Sequence, residues 1–462
     1  MHFLDLPLDI LPLVLSHLQN TQHLALTCCV NKTFYQFAAP RLYERISIYS
    51  WHKHGKTKVI QLFGTLSRYP HLARYVRRLE IRDFPKALPL DGIDVLGVVI
   101  SGVTNCTNLR SCTWTRDGSL NSEILEALLC STELREMEIN GHNDGNYDAN
   151  ILRSFSKLGR ISLIMPSSSV VDMLPSWMSV TGESLHSLTL ICKSSPIITD
   201  AVLESISADL QSLQYFYITG CPKVSHHGIW SILSVNPSIF GLGLEGLSPK
   251  FNMHELARLC SQSSVLHRLR SITLTINQQT PLQTWMADVQ QFLAFSPLEV
   301  FQIYSTGAFF ESPMTYGFWK EIINTHGTRL TRFSVHRMLV GLESIQDICR
   351  RCPNLEQLFV VVEQGTLFSL QSCLSMAAKL KALHINYPVE AHTESLPILS
   401  PSEALQIVQH CSASLTQIGC NAKVWQVERS IEIDSSGCLH ARRYLSKYES
   451  PDIPEPFLVV RT

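Results

Sequence analysis

The chain has 462 residues, of which 45% are hydrophobic and 17% charged, with a formal net charge of -1. That length suits two to three ordinary domains or one long repeat array, and the near-neutral charge excludes nucleic acid as the main partner, since phosphate backbones demand an excess of Lys and Arg. The fourteen cysteines are scattered, mostly within apolar runs such as Leu128-Leu129-Cys130, so they read as small buried hydrophobes in a reducing cytoplasmic or nuclear compartment rather than as a disulfide framework.

The first element in chain order is a short helical head. Ile10, Leu11, Val14, Leu15 and Leu18 form one wide apolar stripe, opened by Leu6-Pro7 and followed after a polar break by Leu24. This is more apolar surface than so small a piece covers by itself, which reads as a docking surface; the plainer alternative is a cap shielding the first repeat of an array. A secretory signal does not fit, because the segment carries Asp5 and Asp9 in place of a basic start and has no small-residue cleavage site. The apolar run 95–100 is too short to span a bilayer, so no membrane is expected. Residues 46–75 read as a helical linker, with a polar, basic loop at 51–57.

From residue 76 a pattern of apolar-x-x-apolar-x-apolar recurs thirteen times, from Val76/Leu79/Ile81 to Leu415/Ile418/Cys420, in steps of 24 to 35 residues. Between these motifs, segments 121–130, 199–210, 254–266, 284–295, 342–351 and 403–410 carry apolar residues at helical spacing. Each unit is strand, turn, helix, turn. One unit cannot bury both its strand and its helix face, so the expected architecture is α/β: a right-handed solenoid over 76–421, with a parallel sheet on the concave face and helices on the convex face. Val424, Trp425, Val427, Ile431 and Ile433 then predict one or two strands covering the last edge, followed by an extended, proline-containing tail; together these make a C-terminal segment 422–462.

Alternation places the intervening residues of each strand on the concave surface. They include Tyr215 and Tyr217, a trough at Gly241 and Gly243, then Tyr304, Arg332, His336, Phe359, Val361 and His384. Aromatic side chains and Arg on an exposed sheet are the composition of a protein-binding hot spot, and these eight are the expected contacts to a protein target. No catalytic, metal or cofactor site is expected. The string Gly241-x-Gly243-x-x-Gly246 lies in a repeat strand without the acidic residue a dinucleotide site needs. Gly55-Lys56-Thr57 lacks the first glycine of a phosphate loop, and Cys349-x-x-Cys352 has no second ligand pair. His52/His54 and His226-His227 have no matching carboxylate cluster.

The motifs resemble leucine-rich repeats of the longer, helix-bearing kind, with junctions Thr219-Gly220-Cys221-Pro222 and Cys352-Pro353-Asn354-Leu355 similar to those of F-box-associated repeats. The opening Leu6-Pro7-Leu8-Asp9-Ile10-Leu11, with Leu18, Leu24, Leu26, Val30 and Phe34, resembles the F-box, a three-helix module whose consensus starts Leu-Pro-x-Glu-Ile-Leu and closes near Val-Cys-x-x-Trp. Asp9, Asn31 and Phe34 depart from it. Pro40-Arg41-Leu42-Tyr43 is similar to the passage into the repeats in fungal F-box proteins. The resemblance implies an F-box at 1–45 that binds a Skp-type adaptor on a cullin scaffold through Leu6, Pro7, Ile10, Leu11, Val14, Leu15, Leu18 and Leu24. It further implies that the chain is the non-catalytic substrate-recognition subunit of an SCF-type ubiquitin ligase. The alternatives are a scaffold acting outside degradation, an adaptor-free repeat module, or, most remotely, a hydrolase hidden in the solenoid.

Overall fold

The computed structural model describes residues 8–18, 20–49, 54–85, 94–276, 280–305, 314–388, 399–421, 423–433 and 439–448. Leu6, Pro7, the basic-loop residues 51–53 and the tail from 450 lie outside the described residues. The chain divides into two compact units between Leu213 and Gln214.

The first unit opens with three helices, α1 (Leu11–Ser16), α2 (Thr21–Cys28) and α3 (Lys32–Glu44). Pro12 sits in the first turn of α1, where a missing N–H costs nothing. Asn20 and Asn31 start the other two helices, their side chains accepting from Gln22 N at 2.8 Å and Phe34 N at 2.9 Å. Asn31, a departure from the F-box consensus, is therefore the N-cap of α3. Leu11, Leu15, Leu24, Ala38 and Ala39 are buried and make the small core of this head.

Directly after α3, strand β1 (Arg45–Ile48) begins a parallel ladder with β2 (Arg78–Ile81), β3 (Ser111–Trp114), β4 (Glu136–Asn140), β5 (Arg160–Ile164) and β6 (Ser187–Ile191), each paired with the next in sequence order. Helices Gly55–Arg68, Val95–Asn105, Ser122–Leu129 and Ser168–Thr181 provide crossovers, and a 3-10 helix Ala149–Ser154 replaces one of them. The stretch expected to be a helical linker thus contains a strand: Ile46, Ile48 and Tyr49 are buried and Arg45 and Ser47 only partly so.

The second unit repeats the scheme in β7 (Tyr215–Thr219), β8 (Gly241–Glu245), β9 (Ser271–Ile276), β10 (Val300–Ser305), β11 (Arg332–Leu339), β12 (Gln357–Val361), β13 (Ala382–Asn386) and β14 (Gln417–Cys420), again parallel. It ends in two antiparallel strands, β15 (Lys423–Ile433) and β16 (Leu439–Lys447). All thirteen anticipated motifs form strands, β2 to β14. The helices also fall where the spacing predicts, Asn121 capping Ser122–Leu129 and Thr199 capping Asp200–Ser207 through side-chain oxygens.

The reason is burial. Leu79 and Ile81, Ile161 and Leu163, Phe216 and Ile218, Leu358 and Val360 and their equivalents are almost wholly enclosed between sheet and helices. Each such side chain contributes about 1.5–3 kcal/mol relative to exposure, and a one-residue slip in register would turn the whole set outward. The α/β strand–helix repeat expected from the sequence is the architecture of both units.

Candidate functional site

On the head, the apolar stripe splits into an inner and an outer set. Leu11, Leu15 and Leu24 point inward and are not available to a partner, which corrects their assignment as adaptor contacts; Leu18 is half-buried. The outer set is Ile10 at the N-cap of α1 and Leu13 and Val14 within it, at i, i+3 and i+4, with Leu26, Val30 and Tyr35 from α2, the turn after it and α3. Leu13 is 66% exposed, and Leu26 and Val30 are each 62% exposed. Among the expected contacts, Ile10 and Val14 belong to this outer set. Leu13, Leu26, Val30 and Tyr35 were not in the expected contact set, although Leu26 and Val30 stand in the consensus positions quoted for the head. The six-residue α1 is too short for spacing alone to separate its inner side from its outer one.

In the second unit the face expected to be open is filled by its own side chains. Tyr304, Arg332, His336, Phe359, Val361 and His384 are all buried, so none of these six presents a free surface to a target. Successive strands bring their rings together. Tyr304 stacks on His336 with centroids 4.6 Å apart and planes 11° apart, Phe359 follows at 6.3 Å, and His384 meets Phe359 edge-on at 5.9 Å. The Arg332 guanidinium carbon lies 4.8 Å from the Phe359 ring centre, a cation over an aromatic face. Polar edges are bonded within the layer: Gln302 Nε2 donates to Tyr304 Oη at 2.8 Å, Ser334 Oγ and His336 Nε2 are 2.7 Å apart, and His384 Nε2 is 3.1 Å from the Asn421 carbonyl oxygen.

Enclosure shifts the ionisable members of the layer. Burial pushes His336 down to about 3, with His384, Arg332 and Arg337 adding repulsion. Burial also lowers His384 to about 4 and Arg332 to about 10. His326, buried at the end of helix Tyr316–His326, is lowered to about 4, mainly by burial and then by Arg329. Glu245 at the end of β8 is raised to about 7 by burial, against the pull of its Thr219 hydrogen bond.

Tyr215 and Tyr217 keep part of their surface. The trough expected beside them is occupied by their own rings: a Cβ built on Gly243 would lie 2.5 Å from Tyr217 Cδ1, and one on Gly241 would lie 2.5 Å from Tyr217 Oη. The two glycines are therefore seats for the tyrosines rather than a groove for a peptide.

The corresponding face of the first unit is polar. Glu80, buried, accepts from Arg45 Nε at 2.8 Å and from Tyr49 Oη at 3.0 Å, while Arg82 Nη1 reaches Glu138 Oε1 at 2.8 Å. Burial and the Glu80 carboxylate raise Tyr49 to about 12, so it stays a donor. Cys349 and Cys352 are separate, buried thiols, Cys352 pushed up to about 12 by burial. Among the described residues no group of three or more His, Cys, Asp or Glu is placed to hold a metal ion, and no helix is long and apolar enough to cross a membrane.

Comparison with protein-family models finds no match, nor does comparison with curated protein sequences. Among solved structures, the chain is similar to the yeast complex of Rad7 and Elc1, at 14% identity over 71% of this chain and 76% of that one, with a TM-score of 0.41. It is also similar to the leucine-rich repeat-containing protein LegL7 from Legionella pneumophila, at 11% identity over 67% of this chain and 92% of that one, with a TM-score of 0.38. Neither likeness bears on function, and the fold stands on the strand register and the strand–helix alternation described above.

Proposed function

We propose that this chain is a non-catalytic recognition subunit of an SCF-type ubiquitin ligase, docking a Skp-type adaptor on a cullin scaffold through its helical head and a protein target through its repeats. The observation that carries the reading is the outer set of apolar side chains on the head. Leu13, Leu26 and Val30 are large, mostly exposed and placed on a piece that already has its own core, so a cap has no use for them. The resemblance of residues 6–34 to the F-box gives that surface its partner. Proximity is the mechanism: a target held by the repeats meets the transfer machinery at high local concentration.

The test is co-purification of the full chain with a Skp-type adaptor. Wild type is expected to retain the adaptor, and the double variant Leu13→Asp/Val30→Asp to lose it with an unchanged melting temperature, because both side chains lie outside the core. Retention of the adaptor by that variant refutes this docking surface, and no binding by wild type leaves an adaptor-free repeat module. Leu11 is unsuitable for this purpose, since charging a buried side chain would unfold the head.

A further inference from the structure

A second feature of the first unit stands apart from the outer face of the head. A cleft of about 640 Å³ lies where α1, α2 and the end of α3 meet the leading ends of β1 to β4. Five arginines line it: Arg41, Arg45, Arg77, Arg78 and Arg110. Two carboxylates, Glu44 and Glu136, share the lining and leave it clearly positive.

The fold itself assembles this cluster. Parallel pairing sets Arg45 beside Arg78, and the backbone N–H of Arg110 bonds the carbonyl of Arg77, so the first pair lies on the adjacent strands β1 and β2 and the second immediately before β2 and β3. Neighbouring strands are about 4.8 Å apart, and like charges facing each other at that spacing oppose folding. Arg45 is satisfied by Glu80 at 2.8 Å, and Arg78 is 3.9 Å from the same carboxylate. Arg77 and Arg110 make no side-chain ion pair among the described residues and are exposed. Arg41 donates a long bond from Nη2 to the Ser16 carbonyl at 3.4 Å, while its buried Nε has no acceptor. Planar, permanently charged donors with unused N–H groups, converging from three strands and a helix, are suited to phosphate oxygens.

We propose that this cleft binds a small polyanion carrying two or more phosphate groups. One phosphate would engage only part of a set spread over α3, β1, β2 and β3. The cleft's volume falls within the range of small-molecule sites, and helices on one side with strand ends on the other bound it in a way that suits a compact ligand better than an extended chain.

Calorimetry on the full chain with sodium tripolyphosphate, pyrophosphate and orthophosphate tests this. Saturable 1:1 binding of tripolyphosphate at least tenfold tighter than orthophosphate is expected. Arg77→Glu/Arg110→Glu should weaken it at least tenfold without lowering the melting temperature, and the milder Arg41→Gln by a few-fold. Arg153→Glu, on an exposed surface away from the cleft, should leave it unchanged. Absence of saturable binding, or an equal loss in Arg153→Glu, overturns the proposal. So does binding of a doubly phosphorylated peptide without binding of tripolyphosphate, which would assign the cleft to a protein ligand.

Discussion

Lowering the pH from 7.5 to 5.0 is expected to destabilise the second unit by about 4 kcal/mol, a figure that follows from three buried histidines and the half-buried Glu245. At pH 7.5 the imidazoles of His326, His336 and His384 are neutral in both the folded and the unfolded chain, so they contribute no pH dependence. Below their ordinary value of 6.5 the unfolded imidazoles take up protons, while the folded ones, held near 4, 3 and 4, do not. The unfolded state then binds more protons and stability falls as pH falls. At pH 5.0 each imidazole accounts for about 2 kcal/mol, and the three together for about 6 kcal/mol. Glu245 acts in the opposite sense. Its folded value is raised from 4.5 to about 7, so its burial costs most at neutral pH, and acidification returns about 2 kcal/mol once its partial exposure is allowed for. Hydrogen exchange in β10 to β13, corrected for the intrinsic pH dependence of exchange, reads this local free energy. Glu245→Gln should widen the pH difference to about 6 kcal/mol by removing the offset. His384→Gln, which keeps an N–H for the Asn421 carbonyl, should narrow it to about 2 kcal/mol. A pH difference that both variants leave unchanged would falsify the assignment of the acid response to these groups.

Three further outcomes follow from the packing. On α1, Leu15→Ala should cost about 2–5 kcal/mol in urea denaturation, whereas Leu13→Ala, two residues away, should stay within about 0.5 kcal/mol; similar losses at both positions would contradict the inner and outer division of the helix. Gly243→Ala should lower stability by about 1–3 kcal/mol, because its Cβ would run into the Tyr217 ring, and Tyr217→Ala in the same chain should remove most of that penalty; additive losses would mean the ring is not the obstacle. Asn31→Ala should cost about 1 kcal/mol by removing the acceptor for the Phe34 N–H, with Asn31→Ser restoring most of it.

The repeat strands were legible because each motif confines three enclosed side chains to six residues, a pattern a helix cannot satisfy. Strand β1 was missed, though Arg45, Ile46, Ser47 and Ile48 alternate in the same way, because it follows α3 without a turn and has no preceding repeat to frame it. The opposite face of the second unit could not be read from single strands. Alternation tells which residues leave the core, but whether they reach solvent depends on cross-strand neighbours. Only the pairing of neighbouring strands sets Tyr304 beside His336 and Phe359 beside His384, and Phe359, whose partner in β11 is Ser334, still comes within 6.3 Å of the His336 ring. Gly243 and Gly419 show the same limit: each lies under a ring from the preceding strand, Tyr217 and His384, and each looked like open space or nothing in particular in the sequence. The arginine cleft was hidden for a related reason, since Arg41, Arg45, Arg77 and Arg110 are scattered over seventy residues of a chain with no net positive charge.

The hairpin at the end of the second unit breaks the strand–helix alternation of the array. A parallel repeat offers its successor the same edge that it received, so nothing in the repeats themselves sets their number. Strands β15 and β16 run antiparallel, and Arg443 fastens β16 to the preceding helix by donating to the carbonyls of Val408 and Cys411 at 2.7 and 3.0 Å. The two reversals leave β16 running in the direction of β14, and what changes at this end is the spacing: two strands follow β14 with no helix between them among the described residues. Strand β14, the last of the parallel series, is thereby paired on both sides, and its backbone offers no open edge.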